Sequence, residues 1–126
     1  MTKDRFRFRI PITNLDGVFD RFIFCDVYHE PIHFIGSAIF LTPEQCTGLK
    51  DKNGHPICEG DIIRHDTAAG PKCWPVVFKN GCFVLPYESG DAWLGKVIEH
   101  CPYDSGVVIA GNIHENPELL EVNNGK

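Results

Sequence analysis

A chain of 126 residues with a formal charge of −5, 43% hydrophobic and 23% charged residues has the size and balance of one globular domain and lies outside the disordered regime. Nine Phe, three Tyr and two Trp against a single Met favour a sheet core over a helical bundle, and the net acidity argues against general binding to phosphate backbones. No apolar run approaches the length of a membrane span, and arginines interrupt the first apolar residues where a signal peptide needs continuity, so a cytoplasmic protein is expected.

In that compartment the six cysteines, Cys25, Cys46, Cys58, Cys73, Cys82 and Cys101, are read as reduced core hydrophobes. The charge is uneven: the first twelve residues set Lys3, Arg5, Arg7 and Arg9 against Asp4 alone.

From Arg5 to Ile12 the chain alternates, with Phe6, Phe8, Ile10 and Ile12 on one face and Arg5, Arg7, Arg9 and Pro11 on the other. This pattern predicts a half-buried strand. Pro11 donates no ladder hydrogen bond, so the strand lies at an edge or loses regular pairing there. Asp16-Gly17 predicts a hairpin turn into a return strand from Val18 to Tyr28. A two-residue turn sets Ile10 opposite Ile23, Phe8 opposite Cys25 and Arg7 opposite Asp26, whereas a three-residue loop sets Phe8 opposite Phe24, and both registers stay open. A short strand is expected near His33 to Leu41. Thr42-Pro43-Glu44-Gln45 reads as a helix opening with Thr42 as N-cap.

Between Thr47 and His65, Asp51-Lys52-Asn53-Gly54 predicts a hairpin turn, and Glu59-Gly60-Asp61 a second turn launching Ile62-Ile63-Arg64. Strands at Trp74 to Phe78 and Cys82 to Leu85 flank the Lys79-Asn80-Gly81 hairpin. Pro86 to Gly95 reads as a polar loop carrying Tyr87 and Trp93, Lys96 to Glu99 and Gly106 to Ile113 as further strands. Asn116 caps one helical turn from Pro117 to Leu120, and Val122 to Lys126 forms a loose tail. Turn signals roughly every 8 to 12 residues point to a mainly β fold. The expected architecture is one domain over 1–126: a small SH3-like barrel over 43–121, an N-terminal hairpin and connecting segment over 1–42, and one short C-terminal helical turn.

The run Thr47-Gly48-Leu49-Lys50-Asp51-Lys52-Asn53-Gly54, continued by Glu59-Gly60-Asp61-Ile62, resembles the signature of the YopX family. Gly111-Asn112-Ile113-His114-Glu115-Asn116-Pro117-Glu118-Leu119-Leu120 resembles that family's usual C-terminal motif, and an opening strand written like Phe6-Arg7 is also usual there. The resemblance implies a protein of phage or prophage origin and brings no established biochemical activity with it. The motif residues Thr47, Gly48, Leu49, Asp51, Gly54, Gly60, Asp61, Asn112, Asn116 and Pro117 are read as structural. Gly54 and Gly60 suit turn backbones, Asp51 and Asp61 suit loop amides, and Leu49, Ile57 and Ile62 are spaced to enter one core.

The chain carries no close Cys-x2-Cys pair, and the adjacent His100 and Cys101 would point to opposite faces of a strand, so no metal ligands are assigned. No nucleophile elbow, phosphate-binding glycine loop or His-Glu-x-x-His appears, so no catalytic residue and no cofactor is assigned. Arg5, Arg7 and Arg9 would stand about 7 Å apart, near the phosphate repeat of an extended strand; the plainer reading is a solvated face that discourages edge pairing. Tyr87 and Trp93 are either a protein-contact anchor or, for Trp93, a buried plug at one mouth of the barrel. The resulting expectation is a non-catalytic binding or assembly module in the bacterial cytoplasm, with a protein partner or self-association through the N-terminal edge strand. The alternative is a nucleic-acid accessory protein using the arginine row.

Overall fold

The computed structural model describes residues 7–26, 39–40, 43–101 and 106–123. Strands β1 (Arg7–Thr13) and β2 (Phe19–Asp26) form the first hairpin. In its loop the Asn14 side-chain oxygen accepts the amides of Asp16 and Val18 at 2.9 and 3.0 Å, and Gly17 takes a φ of 82°. The two-residue register is the one adopted, with Arg7 opposite Asp26 and Ile10 opposite Ile23, until a bulge sets Thr13 opposite Phe19.

β1 is not an edge strand. On its far side it pairs with β4 (Glu44–Lys50) through Phe8 and Arg9, and with β3 (Ile39–Phe40) through Ile12 and Thr13. The change of partner falls at Pro11, the residue unable to extend a ladder. Self-association through β1 therefore loses its premise. The rest of the strand expected near His33 to Leu41 lies outside the described residues.

Of the helix opening expected at Thr42 to Gln45, Thr42 lies outside the described residues, and Glu44 and Gln45 instead begin β4. Glu44 and Cys46 are buried on one side of it, opposite Arg9 and Cys58, and tertiary pairing outweighs a local start signal. Cys46 on β4 and Cys58 on β5 (Pro56–Cys58) face each other and are joined by a disulfide. The reduced reading of these two is overturned, because a compartment argument is blind to register. Cys82 is a free thiol.

A second antiparallel sheet runs β11-β6-β7, from β6 (Asp61–Thr67), β7 (Gly70–Pro75) and β11 (Val108–Asn112). A third runs β10-β9-β8, from β8 (Val77–Lys79), β9 (Cys82–Tyr87) and β10 (Gly90–Trp93). The strand expected over Trp74 to Phe78 is thus divided at Val76, whose amide donates to Asp61 and whose carbonyl accepts from Gly60. At the β8–β9 turn Asn80 and Gly81 take φ of 52° and 81°, the paired left-handed residues a two-residue hairpin needs.

The loop expected at Pro86 to Gly95 holds the end of β9, all of β10 and the start of α1 (Leu94–Glu99), and the strand expected at Lys96 to Glu99 is part of that helix. The reason is packing: Leu94 is fully buried and Val97 and Ile98 lie against the core, which is the i, i+3, i+4 spacing of a helix face. At the C-terminus a 3₁₀ helix spans Pro117–Asn123, longer than one turn and reaching into the expected tail. The main core joins Ile57, Ile63, Trp74, Val76, Leu85, Leu94 and Val107, drawn from β5, α1, the second and third sheets and the residues that border their strands. Among the described residues no helix is long and apolar enough to cross a membrane.

The disulfide gives a direct expectation. Alkylation of the denatured, unreduced chain labels Cys73 and Cys82 and spares Cys46 and Cys58, and reduction lowers stability by roughly 3 kcal/mol for a loop of this size. Full labelling of Cys46 and Cys58 before reduction would contradict the pairing.

Candidate functional site

Arg9 stands on the face of β1 that alternation assigns to solvent, yet the residue is 5% exposed. Its Nε donates to Glu44 Oε1 at 2.8 Å, its Nη1 to Asp61 Oδ1 at 2.6 Å and its Nη2 to the Glu59 carbonyl at 3.1 Å. The guanidinium lies 4.0 Å from the centre of the Phe22 ring. Glu44 uses its other oxygen to hold His114 Nε2 at 2.9 Å, and the His114 ring stacks on Phe19 and meets the edge of Phe22. Asp61 Oδ2 accepts the Cys58 amide at 2.8 Å. Burial pushes the Asp61 carboxyl above its ordinary range, against the pull of Arg9.

The row of exposed arginines is therefore broken. Arg5 lies outside the described residues, Arg7 is half-buried with its guanidinium 4.5 Å from the Phe24 ring centre, and Arg9 is internal. A third layer, the Glu59–Asp61 turn, covers the face that strand periodicity treats as open.

Most family-motif residues hold backbone. Asp51 accepts the amides of Asn53 and His55 at 3.0 and 2.9 Å and that of Ile109 on β11 at 3.0 Å. Burial raises its carboxyl, but the three amide bonds prevail and the net shift is downward. Thr47 Oγ1 accepts the Leu49 amide, and Gly48 has a φ of 83°. Leu49 does not enter the core and is 36% exposed, while Ile57 and Ile62 are fully buried. Asn112 Oδ1 accepts the amides of His114 and Glu115. Asn116 Oδ1 accepts the Asn112 amide, in a space that a side chain at Gly111 would fill. Pro117 opens the 3₁₀ helix.

The feature open to a ligand is elsewhere, on the β6–β7 hairpin. Its register sets His65 opposite Lys72 and Ile63 opposite Trp74, so period-two alternation brings His65, Thr67, Lys72 and Trp74 to one face. With Pro86 and Tyr87 of β9 they line a cleft of about 440 Å³. His65 stacks on Trp74 with centroids 4.5 Å apart, and Tyr87 meets Trp74 edge-on at 4.7 Å. His65 Nδ1 lies 2.9 Å from the Asp66 carbonyl, which only accepts, so Nδ1 donates, and Nε2 is hydrogen-bonded to the Tyr87 hydroxyl at 2.7 Å. Burial, with Cys101 adding to it, pushes the Tyr87 phenol up and keeps it a donor.

The opposite face of the hairpin carries Arg64 and Cys73 into a larger hollow of about 600 Å³, walled by aliphatic residues including Ile109 and Leu119. Among the described residues it offers no aromatic surface. Of the residues singled out in the sequence Tyr87 lines this cleft, whereas His65 and Trp74 were not singled out, although their alternation with Arg64 and Cys73 is there to be read. Trp93 lines none of these hollows; at 60% exposed it is not the buried plug of a barrel mouth. Among the described residues no three His, Cys, Asp or Glu side chains are grouped to hold a metal ion.

The model of a family described as "YopX protein" matches residues 20–121. Among solved structures, the chain is similar to the crystal structure of protein EF1440 from Enterococcus faecalis, with 28% identity and a TM-score of 0.50, over 88% of this chain and 74% of that one. No curated protein matches.

Glycine substitutions separate backbone strain from crowding. Alanine at Gly54, where φ is 84° and nothing lies near the added carbon, is expected to cost about 1 kcal/mol. At Gly60 the added carbon would lie 2.5 Å from Glu44 Oε2, and displacing that buried carboxylate raises the loss to about 3 kcal/mol. Equal losses in paired urea melts would contradict the crowding at Gly60.

Asp51 gives a pH signature. Its folded carboxyl titrates below the ordinary value of 3.8, so its stabilisation is complete above that value and is lost as pH falls through the lowered one. Asp51→Asn should lose about 1–3 kcal/mol at neutral pH, with the gap to the wild type narrowing in acid. A gap independent of pH would contradict this role.

Proposed function

The chain belongs to the YopX family, and from that premise we propose that it is a non-catalytic protein-binding module whose contact site is the cleft between the β6–β7 hairpin and β9. The single observation that carries this reading is the floor of that cleft. Three aromatic rings are packed against one another and locked by the His65–Tyr87 hydrogen bond, beneath a rim bearing Thr67, Lys72 and Glu88. A fixed apolar floor with polar groups around it takes the apolar side chains of an extended segment while the rim pairs with its polar groups.

Three short antiparallel sheets, two of them sharing one core, support an SH3-like barrel as the finer description of the fold, with the β1–β2 hairpin as its extension. Origin in a phage or prophage is what the family resemblance implies, and work in the bacterial cytoplasm is supported by the arginines that interrupt the first apolar residues. The Cys46–Cys58 disulfide fits that setting because both residues are buried, at 0% and 2% exposure, away from attacking thiols. The alternative of nucleic-acid binding through Arg5, Arg7 and Arg9 has less support, since Arg9 is already committed to two carboxylates.

Selection from a randomised peptide display library against the intact chain tests the proposal, with each binder mapped by backbone-amide NMR. Shifts concentrated on β6, β7 and β9, and binding weakened roughly tenfold by His65→Ala, are expected. Absence of binders, or shifts centred elsewhere, would overturn it.

A further inference from the structure

The kind of segment the cleft takes can be narrowed, on the premise that the cleft is a peptide site. His65 and Tyr87 form a ridge shared with a second hollow of about 230 Å³, lined on its far side by Lys96, Val97, His100 and Cys101. The two hollows share His65 and Tyr87 as lining residues and are taken together as one groove from β7 to α1. Each lobe carries one lysine: Lys72 in the first and Lys96 in the second.

Arg9, Arg21 and Lys79 are paired with carboxylates, whereas Lys72 and Lys96 pair with none among the described residues. Glu88 is the one carboxylate among the described residues lining the two lobes. The groove is thus locally cationic in a chain whose total charge is −5.

We infer that the groove recognises an acidic extended peptide of a partner protein, which seats an apolar side chain against the His65–Tyr87 ridge and sets carboxylates over Lys72 on one side and Lys96 on the other. Unpaired lysines flanking an apolar ridge complement this spacing of charge and apolar groups, and they discriminate against basic segments by repulsion. Single-stranded nucleic acid fits less well. A base needs an open ring face, and Trp74, the largest ring, is 8% exposed with His65 stacked on it and Tyr87 against it edge-on.

The test uses the peptides selected above that map to the groove. Their sequences should be enriched in Asp and Glu on both sides of an apolar residue. In the tightest binder, replacing the acids by their amides should weaken binding about tenfold at low salt, the worth of two partly exposed ion pairs. Lys72→Gln combined with Lys96→Gln should remove the difference between acid and amide peptides while leaving the thermal melt unchanged. Groove binders without acidic enrichment, or an acid-to-amide difference that survives in the double variant, would overturn this inference and leave the peptide cleft standing. Oligothymidylate competing the peptide from the groove at equal or lower concentration would overturn it in favour of a nucleic-acid ligand. Failure to find any groove binder would remove the proposed function itself.

Discussion

A guanidinium withdrawn from water must be neutralised and must have its donors satisfied, and in this fold that requirement fixes how four distant segments meet. Arg9 arrives on β1, Glu44 on β4, and the Glu59 carbonyl and Asp61 come from the turn ahead of β6. Glu44 then binds His114 from the C-terminal motif. Removing one partner from such a cluster strands a buried charge, which costs about 3–5 kcal/mol. The Arg9–Glu44 pair is also a register pair of the β1–β4 ladder, so electrostatics and backbone pairing specify the same alignment. Phe22 and Phe19 close the cluster from β2, which makes the N-terminal hairpin part of the domain.

The same turn leads into the element that carries the cleft. Asp61 receives Arg9 and the Cys58 amide and then begins β6. From there the side chains alternate: Ile63 enters the core, His65 and Thr67 reach the cleft, and Arg64 faces the opposite hollow. Asp51 reinforces the platform from the other side by binding Ile109 on β11, the strand paired with β6. A hairpin held at its base by charge and along one edge by β11 gives the cleft a braced floor, which would keep the ordering cost of the proposed binding low.

Much of this was legible in the residues, for physical reasons that can be named. The turns at Gly54 and Gly81 and the acceptance of loop amides by Asp51 and Asp61 follow from local chemistry that the structure keeps, the β1–β2 register is one of the two the residues leave open, and the Asn116 side chain turns back to the Asn112 amide instead of capping the helix after it. What failed depended on a third dimension. Strand periodicity places Arg9 outside because it counts two faces and is blind to the turn that covers one of them. Thr42 to Gln45 reads as a helix start because Pro43 and Gln45 fit one locally, while the pairing of Glu44 with Arg9 makes β4 a strand. The helix at Leu94 to Glu99 did leave a signal, the apolar spacing of Leu94, Val97 and Ile98, and the loop-like residues before it obscured that signal. Of the cleft, only Tyr87 stood out, because His65 and Trp74 become neighbours only once β6 and β7 pair.

A double-mutant cycle between Arg9 and Asp61 tests the organising role of the buried cluster most directly. Urea unfolding of Arg9→Met, Asp61→Asn and the combined variant is predicted to give a coupling energy of about 2 kcal/mol, with the hairpin and the sheets unfolding in one transition. A coupling within about 0.5 kcal/mol of zero, or a hairpin that melts separately from β6, would contradict it.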